Sequence, residues 1–370
     1  MIDKKRLLSA FEQLVSIDSP SYGEREIGDL LKEKLTALGL PVREDDAAGK
    51  TGGSCGNLYC YVEGELDLPP LLFCAHLDTV EPSRGKRIKT DETGVMTSAG
   101  DTVLGADDCA GIVSILEALT TLRETGRPHR PLELLFSVAE EPYCAGIQQF
   151  DFSLLRSREG YVFDLAGPVG RAAYQAPTIL SFQAVFSGRS SHVGFEPEKG
   201  RHAIRAAGIA LSRIPCGRIG NTTVNIGTIS GGTADNIVPD RCSLTGEIRS
   251  FSDEEAHREW EKIAGILQHT ADQTGTQVHI RSTVRVTAYR VDPAHPVVNR
   301  FKTACGALHL PVHLCQTFGG SDNNYLVRHG VSGMVVATAM NNCHSCDEYT
   351  TAEELDRAAN LALALMLSKE

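Results

Sequence analysis

The chain has 370 residues, 42% of them hydrophobic, which is enough for a packed core and long enough for two domains. Its 47 acidic residues against 36 Lys and Arg give a formal net charge of -11 without long like-charge blocks. That balance argues against nucleic acid or an anionic membrane as partner and leaves a cationic or small neutral substrate. Eleven cysteines, an odd number in a long chain without a secretory signal, fit reduced thiols, so the expected location is the cytoplasm.

The first segment spaces Leu7, Leu8, Phe11, Leu14 and Val15 like one face of a helix, and Glu12 and Gln13 interrupt any signal-peptide block. No run elsewhere approaches a membrane-spanning length. Residues 24–39 carry helical spacing that stops at Gly39, and "NLYCYVEG" and "LLFCAHL" follow as short buried strands. After "GADD", Ile112, Ile115, Leu116, Leu119 and Leu122 recur at three and four and predict a helix over about 108–124. "LELLFSVA" and "YVFD" read as core strands, and "GVSGMVVATA" then "TAEELDRAANLALALM" as a late strand and a closing helix. Both ends of the chain therefore predict one α/β domain, a mixed, largely parallel sheet sandwiched by helices.

The middle differs. "TILSFQAVFSG", "TTVNIGTISGG", "RCSLTGEIRS" and "TQVHIRSTVRV" are strand-like and separated by helical stretches near 200–213 and 253–271, an order typical of an α+β module. The expected division is a domain of residues 1–176 and 290–370 interrupted by an insert at 177–289, with "VDPAHP" as the return hinge because its prolines break helix and strand.

Polar residues collect where the apolar strands end. "LLFCAHLDTV" ends in His76 and Asp78, "GADD" supplies Asp107 and Asp108, Glu140 and Glu141 follow "LELLFSVA", Asp164 follows "YVF", and His344 follows the late strand. An open α/β sheet places its crevice outside the carboxyl ends of its strands, so these groups are expected to converge. Unpaired carboxylates in a low-dielectric crevice repel one another, and Lys and Arg are absent from these motifs. A cation is the expected counter-charge, and mixed imidazole and carboxylate donors suit zinc or a neighbouring transition metal better than magnesium or calcium. Taken singly, each motif has a plain reading as a helix cap or a solvated helix start.

"AHLDTV", "GADDCAG", "AEE", "FDLAG", "SHVGFEPEKG", "GGTADNIVP", "EIRS", "GGSDNN" and "HSCDEYT" occur in the order found in zinc metallopeptidases that resemble peptidase T, aminoacylases and glutamate carboxypeptidases. The resemblance runs nearly end to end. It implies that His76 and Asp164 bind one metal, that Glu141 and His344 bind the other, and that Asp107 bridges them. It places Asp78 behind His76, makes Glu140 the general base, and makes the Asp107–Asp108 peptide bond cis. The insert resembles the family's lid, which covers substrate and in many members mediates dimers. There His192 matches the histidine that donates to the carbonyl of the scissile bond, while Asn236 and Arg249 match substrate-contacting positions. Either of the last two could instead tie lid strands together, and His192 could simply stabilise its own turn. "FGGSDNN" resembles the loop beside the substrate's far end, though a plain turn reads equally well.

Two departures bear on substrate range: the acid pair is followed by "PYCAG", where many relatives carry an earlier glycine, and Cys109 stands where a lysine is common. The resulting expectation is a cytosolic hydrolase of small peptides, most like a tripeptide aminopeptidase, with two divalent ions, zinc first and manganese or cobalt next. Its homodimer would form through the lid. A carboxypeptidase or N-acyl-amino-acid amidohydrolase would use the same centre, and a catalytically silent binding protein on this fold is the alternative of another class.

Overall fold

The computed structural model describes residues 1–369. Its chain divides into two compact units, one of Met1–Gln175, Arg290–Thr317 and the residues from Ser321 onward, the other of Ala176–Tyr289 with Phe318–Gly320.

The first unit is built on a mixed sheet. Strand Leu71–His76 pairs parallel with Leu132–Ser137 on one side and with Glu159–Leu165 on the other, and Ser332–Ala337 continues the parallel run beside Glu159–Leu165. Every residue of Leu71–His76 and Leu132–Ser137 is buried, which is why both read as continuous apolar runs rather than alternating ones. Antiparallel strands flank this core: Leu58–Val62 beside Leu132–Ser137, and Arg171–Ala176 beside Ser332–Ala337. The second of these was not among the expected strands. Nor was the small sheet of Ile88–Thr90, Val95–Ser98 and Tyr349–Thr351.

Helices Lys4–Val15, Ala106–Thr125 and Ala352–Met366 pack on one another. The first is held to the second by Glu117, a buried carboxylate that accepts Nε and Nη2 of Arg6 at 2.7 and 2.8 Å and the backbone N–H of Asp3 at 2.9 Å. Helix Ala106–Thr125 is buried almost all round, so it lacks a polar stripe to mark its start. Its span opens at Ala106, but Asp107 and Asp108 have non-helical backbone angles, so regular helix begins just after them, close to the start that the apolar spacing predicts. "VDPAHP" is a turn through His295, and its last residue, Pro296, opens helix Pro296–Ala307, capped by the His295 side chain.

The second unit is a five-stranded antiparallel sheet in the order Gly217–Ile219, Thr222–Gly231, Arg241–Ser250, Thr178–Ser187, Gln277–Val286. Leu180, Phe182, Ala184 and Phe186 alternate along Thr178–Ser187 and pack with Ala206, Ala210, Ile263 and Leu267 in one core, which places helices Ala203–Arg213 and Asp253–Thr274 on a single face.

Candidate metal centre

The parallel run sends the carboxyl ends of its strands to one side of the sheet. His76 is the last residue of Leu71–His76, Asp164 sits near the end of Glu159–Leu165, and Glu140 and Glu141 lie just past Leu132–Ser137. His344 lies in the loop beyond Ser332–Ala337, and Asp107 arrives from the first turn of Ala106–Thr125. The fold thus gathers His76, Asp107, Glu140, Glu141, Asp164 and His344 from distant parts of the sequence.

Asp107 stands between the two imidazoles. Its Oδ1 is 3.1 Å from Nε2 of His76 and its Oδ2 is 3.3 Å from Nε2 of His344. His76 Nε2 is also 3.9 Å from Asp164 Oδ1, and His344 Nε2 is 3.1 Å from Glu141 Oε2. Two donor groups therefore share one carboxylate: His76, Asp107 and Asp164 on one side, His344, Asp107 and Glu141 on the other. The Asp107–Asp108 peptide bond is cis.

The ring of His76 is aimed from behind. Its Nδ1 lies 3.0 Å from the backbone carbonyl of Asp78 and 3.4 Å from that residue's Oδ1, so Nδ1–H is a donor there and Nε2 faces the crevice. The Asp78 carboxylate does more than sit behind His76. It accepts the backbone N–H of Glu140 at 2.9 Å and of Glu141 at 3.2 Å, and the Ser21 hydroxyl at 2.7 Å.

Charge in this crevice is unbalanced by protein alone. Burial, with Asp164 next, drives Glu140 well above the usual carboxylate range, and burial does the same to Asp164. Burial also works to raise Asp107, but hydrogen bonds with His344 and His76 prevail and hold it low. Burial works to lower His76, yet its bonds to Asp107 and Asp78 leave it well above the ordinary value, and bonds to Asp107 and Glu141 bring His344 to about 10. Among the described residues, the ion-pair partners of these acids are the two imidazoles, never Lys or Arg. Glu141 Oε1 is buried without a hydrogen-bond partner. Imidazole nitrogens and carboxylate oxygens facing one another, a shared acid and an orphaned buried oxygen are what a pair of divalent ions would satisfy. Their ligand atoms fall into the overlapping groups His76, Asp107, Glu141 and His76, Glu140, Asp164, each within 4.8 Å.

The remaining expected residues lie in the second unit. His192 is exposed, and its Nδ1 accepts the N–H of Gly194 at 3.1 Å, which leaves the proton on Nε2. Asn236 is exposed, and its carbonyl accepts from Val193 at 3.2 Å. Arg249 is more engaged than a free clamp: Nε donates to Glu247 at 2.7 Å and Nη1 to the carbonyl of Phe318 at 2.7 Å. The "GGSDNN" segment splits, for Phe318–Gly320 group with the second unit while Ser321 caps helix Asp322–Arg328 in the first. Asp322 is buried, accepts from the Ser137 hydroxyl, and shares a cluster with Glu140 and Cys144 rather than facing outward.

Two buried acids that bear on the site, Glu24 and Glu348, carried no signal in the sequence, and a third, Asp322, was legible only as part of the "GGSDNN" loop and not as a buried group. "CDEYT" and "GGSDNN" were noted for their order, but a lone acid beside a turn carries no signal of burial.

A family model described as a peptidase dimerisation domain matches residues 175–275, and one described as peptidase family M28 matches residues 57–200. The chain is 35% identical to the uncharacterised protein YqjE of Bacillus subtilis over 99% of both chains. Among solved structures it resembles an aminopeptidase PepT from Bacillus cereus, with a TM-score of 0.90, 34% identity and coverage of 99% of this chain and 98% of that one. It also resembles a tripeptidase from Staphylococcus aureus, with a TM-score of 0.95, 31% identity and the same coverage.

Proposed function

This chain belongs to the peptidase T-like metallopeptidases, and from that premise we propose that it is a two-zinc aminopeptidase that releases the N-terminal residue of tripeptides and similarly short peptides. The observation that carries the reading is Asp107 set between His76 and His344, each imidazole backed by its own second carboxylate. His76, Asp107 and Asp164 would hold one ion, and Asp107, Glu141 and His344 the other.

Bound there, the ions supply Lewis acidity toward the scissile carbonyl and toward a water. Glu140, buried beside His76 and Asp164, takes the proton of the attacking water and delivers it to the leaving amine. His192, with its proton on Nε2, donates to the carbonyl oxygen as negative charge develops there. Arg249 and Asn236 recognise the rest of the peptide, Arg249 through the donors not given to Glu247 and Phe318. Asp78 fixes His76 and the two glutamate amides. The dimerisation-domain match supports a homodimer through the second unit. Among the described residues no helix is long and apolar enough to cross a membrane, in keeping with a cytoplasmic enzyme.

The test compares a free tripeptide with its N-acetylated and C-amidated forms on zinc-loaded protein, alongside Glu140→Gln. An aminopeptidase cleaves the free peptide and not the N-acetylated one, and Glu140→Gln retains both ions while turnover falls by about 100-fold or more. Preference for the N-acetylated peptide moves the assignment to a carboxypeptidase or deacylase, and a fully active Glu140→Gln removes the base.

A further inference from the structure

Glu24 stands at the N-cap position of helix Arg25–Ala37, where a short Asp, Asn, Ser or Thr side chain ordinarily accepts from the first turn. Its side chain makes no such bond. Fully buried, it turns away, and one oxygen, Oε1, accepts the backbone N–H of Tyr22 at 2.8 Å and that of Ala139 at 2.9 Å. Ala139 immediately precedes the Glu140–Glu141 pair.

The turn that carries the pair is an unfavourable one. Ala139, Tyr143 and Cys144 have φ of 48°, 64° and 57°, a left-handed region that residues other than glycine rarely occupy. Such backbone persists only where its surroundings over-determine it. Inside the turn, Cys144 N–H donates to Glu140 O at 2.5 Å and Ala145 N–H to Ala139 O at 2.7 Å. Outside it, the successive N–H groups of Ala139, Glu140 and Glu141 all meet carboxylate oxygens, the first from Glu24 and the other two from Asp78. Asp78 is a charged acceptor, whose hydrogen bonds are the strong ones, and Glu24 extends the grip to the neighbouring amide through one carboxyl oxygen, so these two acids set where the Glu140 side chain starts.

We propose that Glu24 is a positioning residue for the reaction: together with Asp78 it grips three consecutive amides of the turn and thereby aims the Glu140 carboxylate. The proposal rests on Glu140 being the base. Glu24 touches neither substrate nor metal; it acts through the backbone of Ala139.

Full-length protein loaded with zinc and assayed on a free tripeptide tests it with three variants. Glu24→Gln keeps an oxygen in place, Glu24→Asp withdraws the carboxylate by one methylene, and Glu24→Leu removes the acceptor. Since a misplacement of about 1 Å costs roughly 100-fold, kcat should fall by about 10- to 100-fold in Glu24→Asp and Glu24→Leu, and by no more than about threefold in Glu24→Gln. KM and bound zinc should stay as in the parent, a split that a general loss of packing would not produce. In the metal-free chain, amide exchange over residues 138–145 should quicken by about tenfold or more in Glu24→Asp and Glu24→Leu but not in Glu24→Gln. Parental kcat in Glu24→Asp, or an equal fall in Glu24→Gln and Glu24→Asp, overturns the proposal, and this contrast decides even if Glu24→Leu does not fold. Glu140→Gln in the same assay separates the two failures: an active Glu140→Gln sinks the base assignment, while an inactive one beside an unimpaired Glu24→Asp sinks only the role of Glu24.

Discussion

Glu348 accepts the backbone N–H of Asp107 at 2.9 Å through one carboxylate oxygen, and that of Gly105 at 2.6 Å through the other. It follows His344 closely in sequence, so one acid ties the loop that carries His344 to the residue standing between the two imidazoles. Gly105 has φ of 81°, and the Lys86 side chain packs where its Cβ would be, so the entry to helix Ala106–Thr125 has little freedom apart from this clamp.

Glu348→Ala should therefore leave the ligands present but loosely set. Removing a partner that orients metal ligands typically costs 10- to 100-fold in metal affinity, so zinc competition against a chelator should show a loss of about that size. Parental affinity in this variant would mean that the loop is held by other contacts.

Metal-free protein should show a distinctive pH dependence. His344, raised to about 10 by its bonds to Asp107 and Glu141, binds its proton more tightly folded than unfolded. Its contribution is fully present below the ordinary histidine value and is lost as pH rises toward 10. Chelator-treated protein should thus melt at progressively lower temperature as pH climbs from neutral toward 10, whereas zinc-loaded protein should not follow. Zinc uptake near neutral pH should release protons, readable by calorimetry in buffers of different ionisation heat; uptake without release would contradict the imidazole assignments.

Gly111 lets helix Ala106–Thr125 approach the sheet. A Cβ there would lie 2.2 Å from the Phe163 carbonyl and 2.3 Å from Oδ1 of Asp108, the acid whose Oδ2 accepts the His76 N–H at 3.1 Å. Gly111→Ala should cost about 1–3 kcal/mol in denaturant unfolding and shift Asp108 against His76. A neutral substitution would show that the helix can move away without loss.

His192→Ala should keep its metal and its fold, since the ring's bond within the unit is to Gly194 in an exposed turn. If its Nε2–H stabilises the developing oxyanion, kcat should fall by about 10²- to 10³-fold, the range for removing one such donor. A loss confined to KM would instead make it a substrate-binding group.

Much of this was legible beforehand, for a physical reason. A parallel strand buried on both faces announces itself as an apolar run, and the first polar residue after it marks the crevice side, so His76, Glu140, Glu141 and Asp164 could be placed at strand ends. The helix after "GADD" was readable from its apolar spacing, and what the spacing did not show is the kink, where Asp107 and Asp108 leave helical geometry. The strand Arg171–Ala176, which flanks the parallel core near one edge of the sheet, carried no signal strong enough to separate it from its neighbours.

Sequence by itself determined the strongly patterned helices and strands and which of their ends are polar, because burial along one helix or strand imprints a period on the residues that compose it. What it left open was which buried acid meets which backbone amide. Glu24 reaches Ala139 across 115 positions and Glu348 reaches Asp107 across 241, and before folding each is one acid beside a turn like many others. Only packing brings those pairs together, and only burial makes their hydrogen bonds strong enough to shape the turn and the loop they hold.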